Sequence, residues 1–365
     1  MLIDRRLFFN FDFLLLFAVL LLCALGCLNL KSICSFTSAS NQIYFFKQIQ
    51  WVFLGFLFLL ITININYIKI LKFSYFLHSI SLVLLILVCL FGTSKYGSQR
   101  WLSIAGFNLQ PSELAKLTFL LILARFFSEN MNQKTNTLKD MLVPFVFLFI
   151  TILPIYIQPD LGTAGMVVII FFSVAFFINI HRKTLFLFVS SIFVSFPCLW
   201  FFLKDYQKQR IKFFITPELD PLNAGYQLIQ SKIAIGSGGL LGKGFMKGTQ
   251  SHLRFLPEQH TDFVFSVWAE EWGFIGCFFL LLIVFIIIYR GLRIAYMCKN
   301  SSGAYLAVGI SLYIFWQVII NVFMTLGLFP VVGVPFPFFS YGGSAMITNF
   351  IGVGLLLNIG MRKFK

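Results

Sequence analysis

"FIGCFFLLLIVFIIIYR", residues 274–290, runs from Phe274 to Tyr289 without a charged side chain and stops at Arg290. With the residues from 263 onward it exceeds the roughly 20 apolar residues that carry a helix across a bilayer. Working outward from it, the same criterion places ten spans, at about 9–30, 48–66, 73–92, 111–128, 141–158, 161–180, 184–203, 263–290, 304–328 and 344–361. None shows the period-two alternation of a barrel strand, so the spans read as helices. The composition agrees: 59% of residues are hydrophobic, 18% aromatic and only 11% charged, with a net charge of +15. A soluble domain carries about 25% charge. The fold class is therefore an all-α polytopic membrane protein with ten transmembrane helices. Residues 1–365 form a single integral membrane domain, and one long extracytoplasmic loop, about 204–262, lies between helices 7 and 8. The first apolar run has no small-residue cleavage site after it and reads as an anchor.

Lys and Arg set the orientation. With both termini in the cytoplasm, inner segments hold fifteen basic residues, from Arg5 and Arg6 to Arg362, Lys363 and Lys365, against Lys31, Lys47, Lys95 and Arg100 in the short outer loops. The basic balance is thus topological; no basic-aromatic interleaving points to nucleic acid. Seven cysteines, mostly inside spans, give neither a disulfide framework nor a metal site. The long loop carries Phe213, Phe214, Tyr226, Leu228 and Phe255 among its polar residues. Its centre, "AGYQLIQSKIAIGSGG", reads as a short amphipathic helix at the membrane surface.

Against this apolar background the ionisable residues stand out. Glu113 and Lys116 sit one turn apart on one helical face, inside a span. Such a pair faces a cavity or a partner helix, and a lock between helices is as good a reading as a functional one. In "GSQRWL", Arg100 has the planar fork that suits phosphate oxygens, although a lone loop arginine is more often solvated. Trp101 reads as an interfacial anchor. "FLPEQHTDFVF", residues 255–265, gathers Glu258, His260 and Asp262 at a helix start on the outer side. Thr261 or Asp262 could cap that helix; alternatively, a carboxylate at a partly dry mouth serves as a general base. The spacing of His252, His260 and Glu258 matches no zinc pattern. Glu270 and Glu271 read as structural, pairing with loop arginines.

Two glycine-rich pieces remain. "GSGGLLGKGFMKG" (236–248) fails the P-loop pattern, because Lys243 is followed by Gly. "FPVVGVPFPFFSYGGSA" (329–345), with three prolines, three glycines and no charge, reads as a re-entrant or broken-helix segment, with a plain turn as the duller alternative.

Seven pieces in one order, "GSQRWL", "QPSELAKL", "QPDLGTA", "GYQLIQSKIAIGSGGLLGKG", "LPEQHTDFVF", "AEEWGFIG" and "PFFSYGGS", resemble the SEDS family (shape, elongation, division and sporulation) from about residue 92 onward. "GTQSHLRFLPEQHTDF" and "PVVGVPFPFFSYGGS" resemble its elongation (RodA) branch more than its division (FtsW) branch. The resemblance implies a peptidoglycan glycosyltransferase that polymerises lipid II at the bacterial cytoplasmic (inner) membrane during elongation and shape maintenance. It makes Asp262 the catalytic residue and places Arg100, Trp101, Glu113 and Lys116 around one cavity, with Ser340 near it. It also implies a class B penicillin-binding protein (a transpeptidase) and other elongation-complex membrane proteins as partners. An inverting displacement of undecaprenyl diphosphate needs one base, for which Asp262 is chosen, with Glu258 beside it. Arg100, Lys116 and Arg210 are the candidate cations for the diphosphate. A divalent cation, Mg2+ or Mn2+, is an equally sound device there, and no residue pattern assigns a metal site. The rival reading is a flippase or transporter of a lipid-linked precursor; a third is a non-catalytic scaffold.

Overall fold

The computed structural model describes residues 10–35, 39–95, 98–104, 107–130, 140–177, 190, 205–216, 224–253, 255–256 and 258–362. Among the described residues, six helices are long and apolar enough to cross a membrane: α1 (Phe13–Ser35), α2 (Ala39–Asn64), α4 (Ser74–Phe91), α11 (Val264–Met297), α12 (Ser301–Leu326) and α13 (Gly343–Met361). Between them lie α3 (Tyr67–Lys72), α5 (Pro111–Asn130), α6 (Leu142–Ile157), α7 (Leu161–Phe177), α8 (Asp205–Ile215), α9 (Ala224–Gly238) and α10 (Thr249–His252). Nine of the ten expected spans thus coincide with helices, and the protein crosses the membrane several times. The expected span at 184–203 lies outside the described residues.

The fold is helical with one addition. Three short antiparallel strands, β1 (Thr93–Lys95), β2 (Ser98–Ile104) and β3 (Phe107–Leu109), join α4 to α5 where a plain outer loop was expected. Thr93 pairs with Trp101, and Leu102 with Leu109, so the sheet fixes the height of Arg100 and Trp101.

Helix ends follow local chemistry. Asp12 Oδ1 accepts the Leu15 N–H at the start of α1, while its Oδ2 lies 2.7 Å from the Arg290 guanidinium, tying α1 to α11. Asn300 caps α12 by accepting from Ser302 N–H, and α12 ends at Gly327 in the left-handed region. Large apolar side chains such as Phe53, Phe76, Phe149, Phe278 and Phe285 are exposed on the bundle's outside. That arrangement suits lipid rather than water.

At 34 residues, α11 is about 50 Å long if straight, but Gly273 breaks it with φ 62° and ψ −162°. The broken ends would leave backbone groups without partners. The loop after α9 supplies them: Lys243 and Gly244 N–H donate to the carbonyls of Glu270 and Glu271 at 3.0 and 2.9 Å. In return Phe274 and Ile275 N–H donate to the carbonyls of Gly239 and Leu240 at 2.9 and 3.2 Å. A Cβ on Gly242 would stand 2.2 Å from the Glu271 carbonyl oxygen, so a glycine is required at that crossing. The stretch that superficially resembles a phosphate cradle is therefore a backbone splint.

Glu270 and Glu271 are structural, but not through arginines. Glu270 Oε1 accepts from Lys243 Nζ at 2.7 Å and from the Thr249 and Gln250 N–H groups at the start of α10. Glu271 accepts from the Ser32 hydroxyl of α1. Glutamate reaches these partners because the splint and α10 fold back along α11, which local sequence could not reveal.

Candidate active site on the turn before helix α11

The turn 258–263 is fixed almost atom by atom. Glu258 adopts φ +52°, an uncommon conformation for a residue with a Cβ. Its carbonyl then accepts the N–H groups of Thr261, Asp262 and Phe263 at 3.2, 3.1 and 3.4 Å. Three successive carbonyls of the same turn are held from outside. Tyr341 N–H donates to His260 O at 3.0 Å, Ser340 Oγ to Thr261 O at 2.7 Å, and Asn321 Nδ2 to Asp262 O at 3.1 Å. The second Asn321 proton goes to Val334 O at 2.8 Å, so one α12 amide joins the turn to the segment after α12. That segment carries no helix between Leu326 and Gly343 and is packed against protein, as irregular backbone at membrane depth must be.

The helix-cap reading of Thr261 or Asp262 fails: the N-cap of α11 is Phe263, with no side-chain cap hydrogen bond. The Asp262 carboxylate turns the other way. A Cβ placed on Gly333 would lie 3.4 Å from Asp262 Oδ2 and 3.9 Å from Arg100 Nη1, so the acid and the guanidinium flank the same point. Gly333 has φ +72°, and its missing side chain leaves room between them.

Arg100 is itself anchored. Its Nε lies 3.4 Å from Asp160 Oδ2, and its Nη2 donates to Pro159 O at 3.4 Å. Asp160, 1% exposed, also accepts from Thr163 N–H and Thr163 Oγ1 at the start of α7. Sequence reasoning missed Asp160 within "QPDLGTA", where an Asp two residues before a Gly-Thr pair at a helix start is the available signal. Asn321 and Gly333 give no local signal, because the Asn321 amide and the missing Gly333 side chain matter only once distant parts of the chain are brought together.

The other expected residues fall into three groups. Trp101 is half-buried on β2, where the strand turns it to the face opposite Arg100, and Glu258 is half-buried on the turn itself, its Oε2 accepting from Thr261 Oγ1 at 3.2 Å. Ser340 is 3% exposed; besides donating to Thr261 O, its hydroxyl accepts from Phe336 N–H at 2.9 Å, so it aims the turn. Glu113 and Lys116 are each 2% exposed, joined at 2.8 Å and sealed among α5, α7 and α12. Tyr313 Oη donates to Glu113 Oε2 at 3.3 Å, and Lys116 Nζ reaches Met166 Sδ at 3.7 Å. Of the two readings of that pair, the interhelical lock matches its position. Arg210 belongs to α8, but its side chain lies outside the described residues.

His260 occupies the opposite side of the turn. Burial pushes its imidazole below its ordinary pKa, with Glu258, whose Oε2 lies 3.8 Å from Nε2, pulling weakly upward. Among the described residues, no three His, Cys, Asp or Glu side chains gather as metal ligands. A carboxylate held rigidly beside an anchored arginine can accept a proton from a polar group while the cation faces an anion.

Comparison with known proteins gives a consistent picture. Residues 12–365 match the FtsW–RodA–SpoVE family, described as cell cycle proteins. The chain is 44% identical over 285 residues to the peptidoglycan glycosyltransferase MrdB of Escherichia coli K12, covering 78% of this chain and 76% of that one. It is 35% identical over 354 residues to the stage V sporulation protein E of Bacillus subtilis, covering 95% and 96%. Among solved structures it resembles a chain of a peptidoglycan synthase complex, with TM-score 0.82, 30% identity, and coverage of 97% of this chain and 99% of that one. The rod shape determining protein RodA of Thermus thermophilus gives TM-score 0.73 at 28% identity, covering 97% and 98%.

Proposed function

Because this chain belongs to the FtsW–RodA–SpoVE family, we propose that it is a peptidoglycan glycosyltransferase in which Asp262 is the base. It polymerises lipid II into glycan strands for elongation and shape maintenance. The observation that carries the reading is the turn 258–263, whose backbone is pinned at three carbonyls while the Asp262 carboxylate faces Gly333 and Arg100.

The acceptor's GlcNAc 4-hydroxyl attacks the anomeric carbon of the donor MurNAc. A glycosidic C–O bond forms, the bond to undecaprenyl diphosphate breaks with inversion, and the hydroxyl proton passes to Asp262. A positioned base is worth about 100-fold to 10,000-fold for such a weak nucleophile. Arg100 stabilises charge growing on the departing diphosphate, because Asp160 and Pro159 hold it in place before substrate arrives. The Glu113–Lys116 pair acts at one remove, fixing α5 against α12. Preorganisation of this kind avoids reorganisation in the transition state.

Substrates enter sideways from lipid in the bacterial cytoplasmic membrane, with the turn facing outward and both termini inside, a reading supported by the apolar helices and by the Lys and Arg balance of the connecting segments. Residues 1–365 act as one membrane domain. A class B penicillin-binding protein is the partner this reading calls for, supported by the likeness to a chain of a peptidoglycan synthase complex. The elongation role is supported by the likeness to a rod shape determining protein.

The test is glycan-strand synthesis from lipid II by the purified protein with its transpeptidase partner. Asp262→Ala is expected to abolish polymer while leaving thermal unfolding near that of the wild type. Equal polymer from both proteins would overturn the assignment. Lipid II movement across vesicles without any polymer would favour the flippase.

A further inference from the structure

The side of the turn away from Asp262 carries a second, chemically different surface. Tyr44 of α2 stacks on His260, with ring centroids 4.6 Å apart and an interplanar angle of 23°. Tyr341 meets Tyr44 edge-on at 5.1 Å and 73°, and the Trp51 indole hydrogen-bonds the Tyr341 hydroxyl. Trp51 is in turn wedged against Gly343, where an added Cβ would stand 2.4 Å from its ring.

Aromatic residues at this height usually anchor a protein in the headgroup layer. These rings do not have the freedom such anchors keep. They pack on one another and on the catalytic turn, whose His260 carbonyl is bound by the Tyr341 N–H. All four nevertheless remain partly exposed, with His260 at 22% and Glu258 beside it at 28%.

Polar groups adjoin the rings. Glu258 offers a partly exposed carboxylate at their edge, while Gln48, fully buried between Tyr44 and Trp51 on the same helix, backs the rings by holding Ser340 O through Nε2 at 3.1 Å. An aromatic face bordered by a few hydrogen-bonding groups is the usual composition of a site for a partly apolar ligand. A pyranose matches it: its C–H face is apolar and its edge carries hydroxyl and acetamido groups.

We propose that Tyr44, His260 and Tyr341 form a saccharide-stacking subsite that holds the glycan strand beside the reaction centre. His260 and Asp262 are two residues apart, at most about 7 Å along the backbone. A strand reacting at Asp262 therefore reaches the aromatic side within one or two sugar units. The neutral imidazole favoured by burial keeps the stack uncharged. This rests on the glycosyltransferase reading and adds to it a place for the polymer between additions.

The test uses tetra-N-acetylglucosamine as a soluble probe, titrated against the purified full-length protein by calorimetry and by saturation-transfer NMR. Saturable binding is expected, weakened at least 10-fold in Tyr44→Ala, retained in Tyr44→Phe, and retained in Asp262→Asn. Glycan strands made by Tyr44→Ala from lipid II should be shorter than those of the wild type. No saturable binding, or equal affinity in the wild type and Tyr44→Ala, would overturn the subsite while leaving the reaction assignment standing. Polymer from Asp262→Asn equal to wild type would sink the reaction assignment and leave the binding result intact.

Discussion

Two of the acid–base pairs among the described residues are built to opposite ends. Glu113 and Lys116 are each 2% exposed and meet at 2.8 Å on one helix, with Tyr313 and Met166 closing around them. Arg100 and Asp160 join a strand to a helix start at 3.4 Å, with Asp160 at 1% exposure and Arg100 at 18%. A sealed pair satisfies itself and locks three helices. A half-open pair has one buried, fully bonded member and one whose far edge faces the mouth, beside Asp262. Burial of the acid with exposure of its partner does not by itself mark a cation held for a ligand, since Lys243–Glu270 and Arg290–Asp12 share that pattern and serve the fold; what sets Arg100 apart is the Asp262 carboxylate across Gly333.

The difference can be broken most severely at the sealed pair. Lys116→Met leaves Glu113 buried without its cation and should cost about 3–5 kcal/mol of stability, read as a loss of folded protein in detergent on heating. Glu113→Gln combined with Lys116→Met should recover most of that loss, because no lone charge then remains. Arg100→Gln sharpens the contrast. Asp160 keeps its Thr163 hydrogen bonds, so stability should fall by only about 1 kcal/mol, while polymerisation of lipid II falls at least 10-fold.

A smaller effect is expected between the pairs, at Gly333. Gly333→Ala forces a Cβ into a left-handed conformation, costing about 1–2 kcal/mol, and sets a methyl group 3.4 Å from Asp262 Oδ2. Turnover should drop more than the melting temperature suggests. Asn321→Ala removes a clamp from Asp262 O and Val334 O, leaving buried carbonyls unbonded at about 1–3 kcal/mol. Its kcat should fall with KM little changed, measured as glycan formed against lipid II concentration.

The smallest effect concerns pH. His260 has its folded pKa below its usual value of about 6.5, so the unfolded chain binds the proton more readily. The neutral ring's contribution is fully present above pH 6.5 and is lost as pH falls from there toward the lowered folded value. Melting temperature between pH 5 and 7.5 should therefore decline on the acid side, and His260→Gln should flatten part of that decline.

Several of these residues were legible before any coordinates. The choice of Asp262 within its cluster rests on the resemblance to the SEDS family, whereas the cluster of Glu258, His260 and Asp262 is itself conspicuous in so apolar a chain. The spans were legible for the same reason: a hydrocarbon layer demands long apolar helices, so composition and run length report them directly. The strands at 93–109 were not, since each is short and held mainly by its neighbours. Glu270 was misjudged in its partner because Lys243 reaches it only through the splint across the break at Gly273.

The sequence by itself determined a helical membrane protein, most of its span positions and the ionisable cluster around Asp262, because those depend on local polarity against a fixed hydrocarbon thickness. Only the tertiary structure decided which charged pair is sealed, that Asp262 does not cap its helix, and that Asn321, Ser340 and Tyr341 hold the turn. Those are questions of direction and distance between segments up to 200 residues apart, and polarity along a chain carries no record of them.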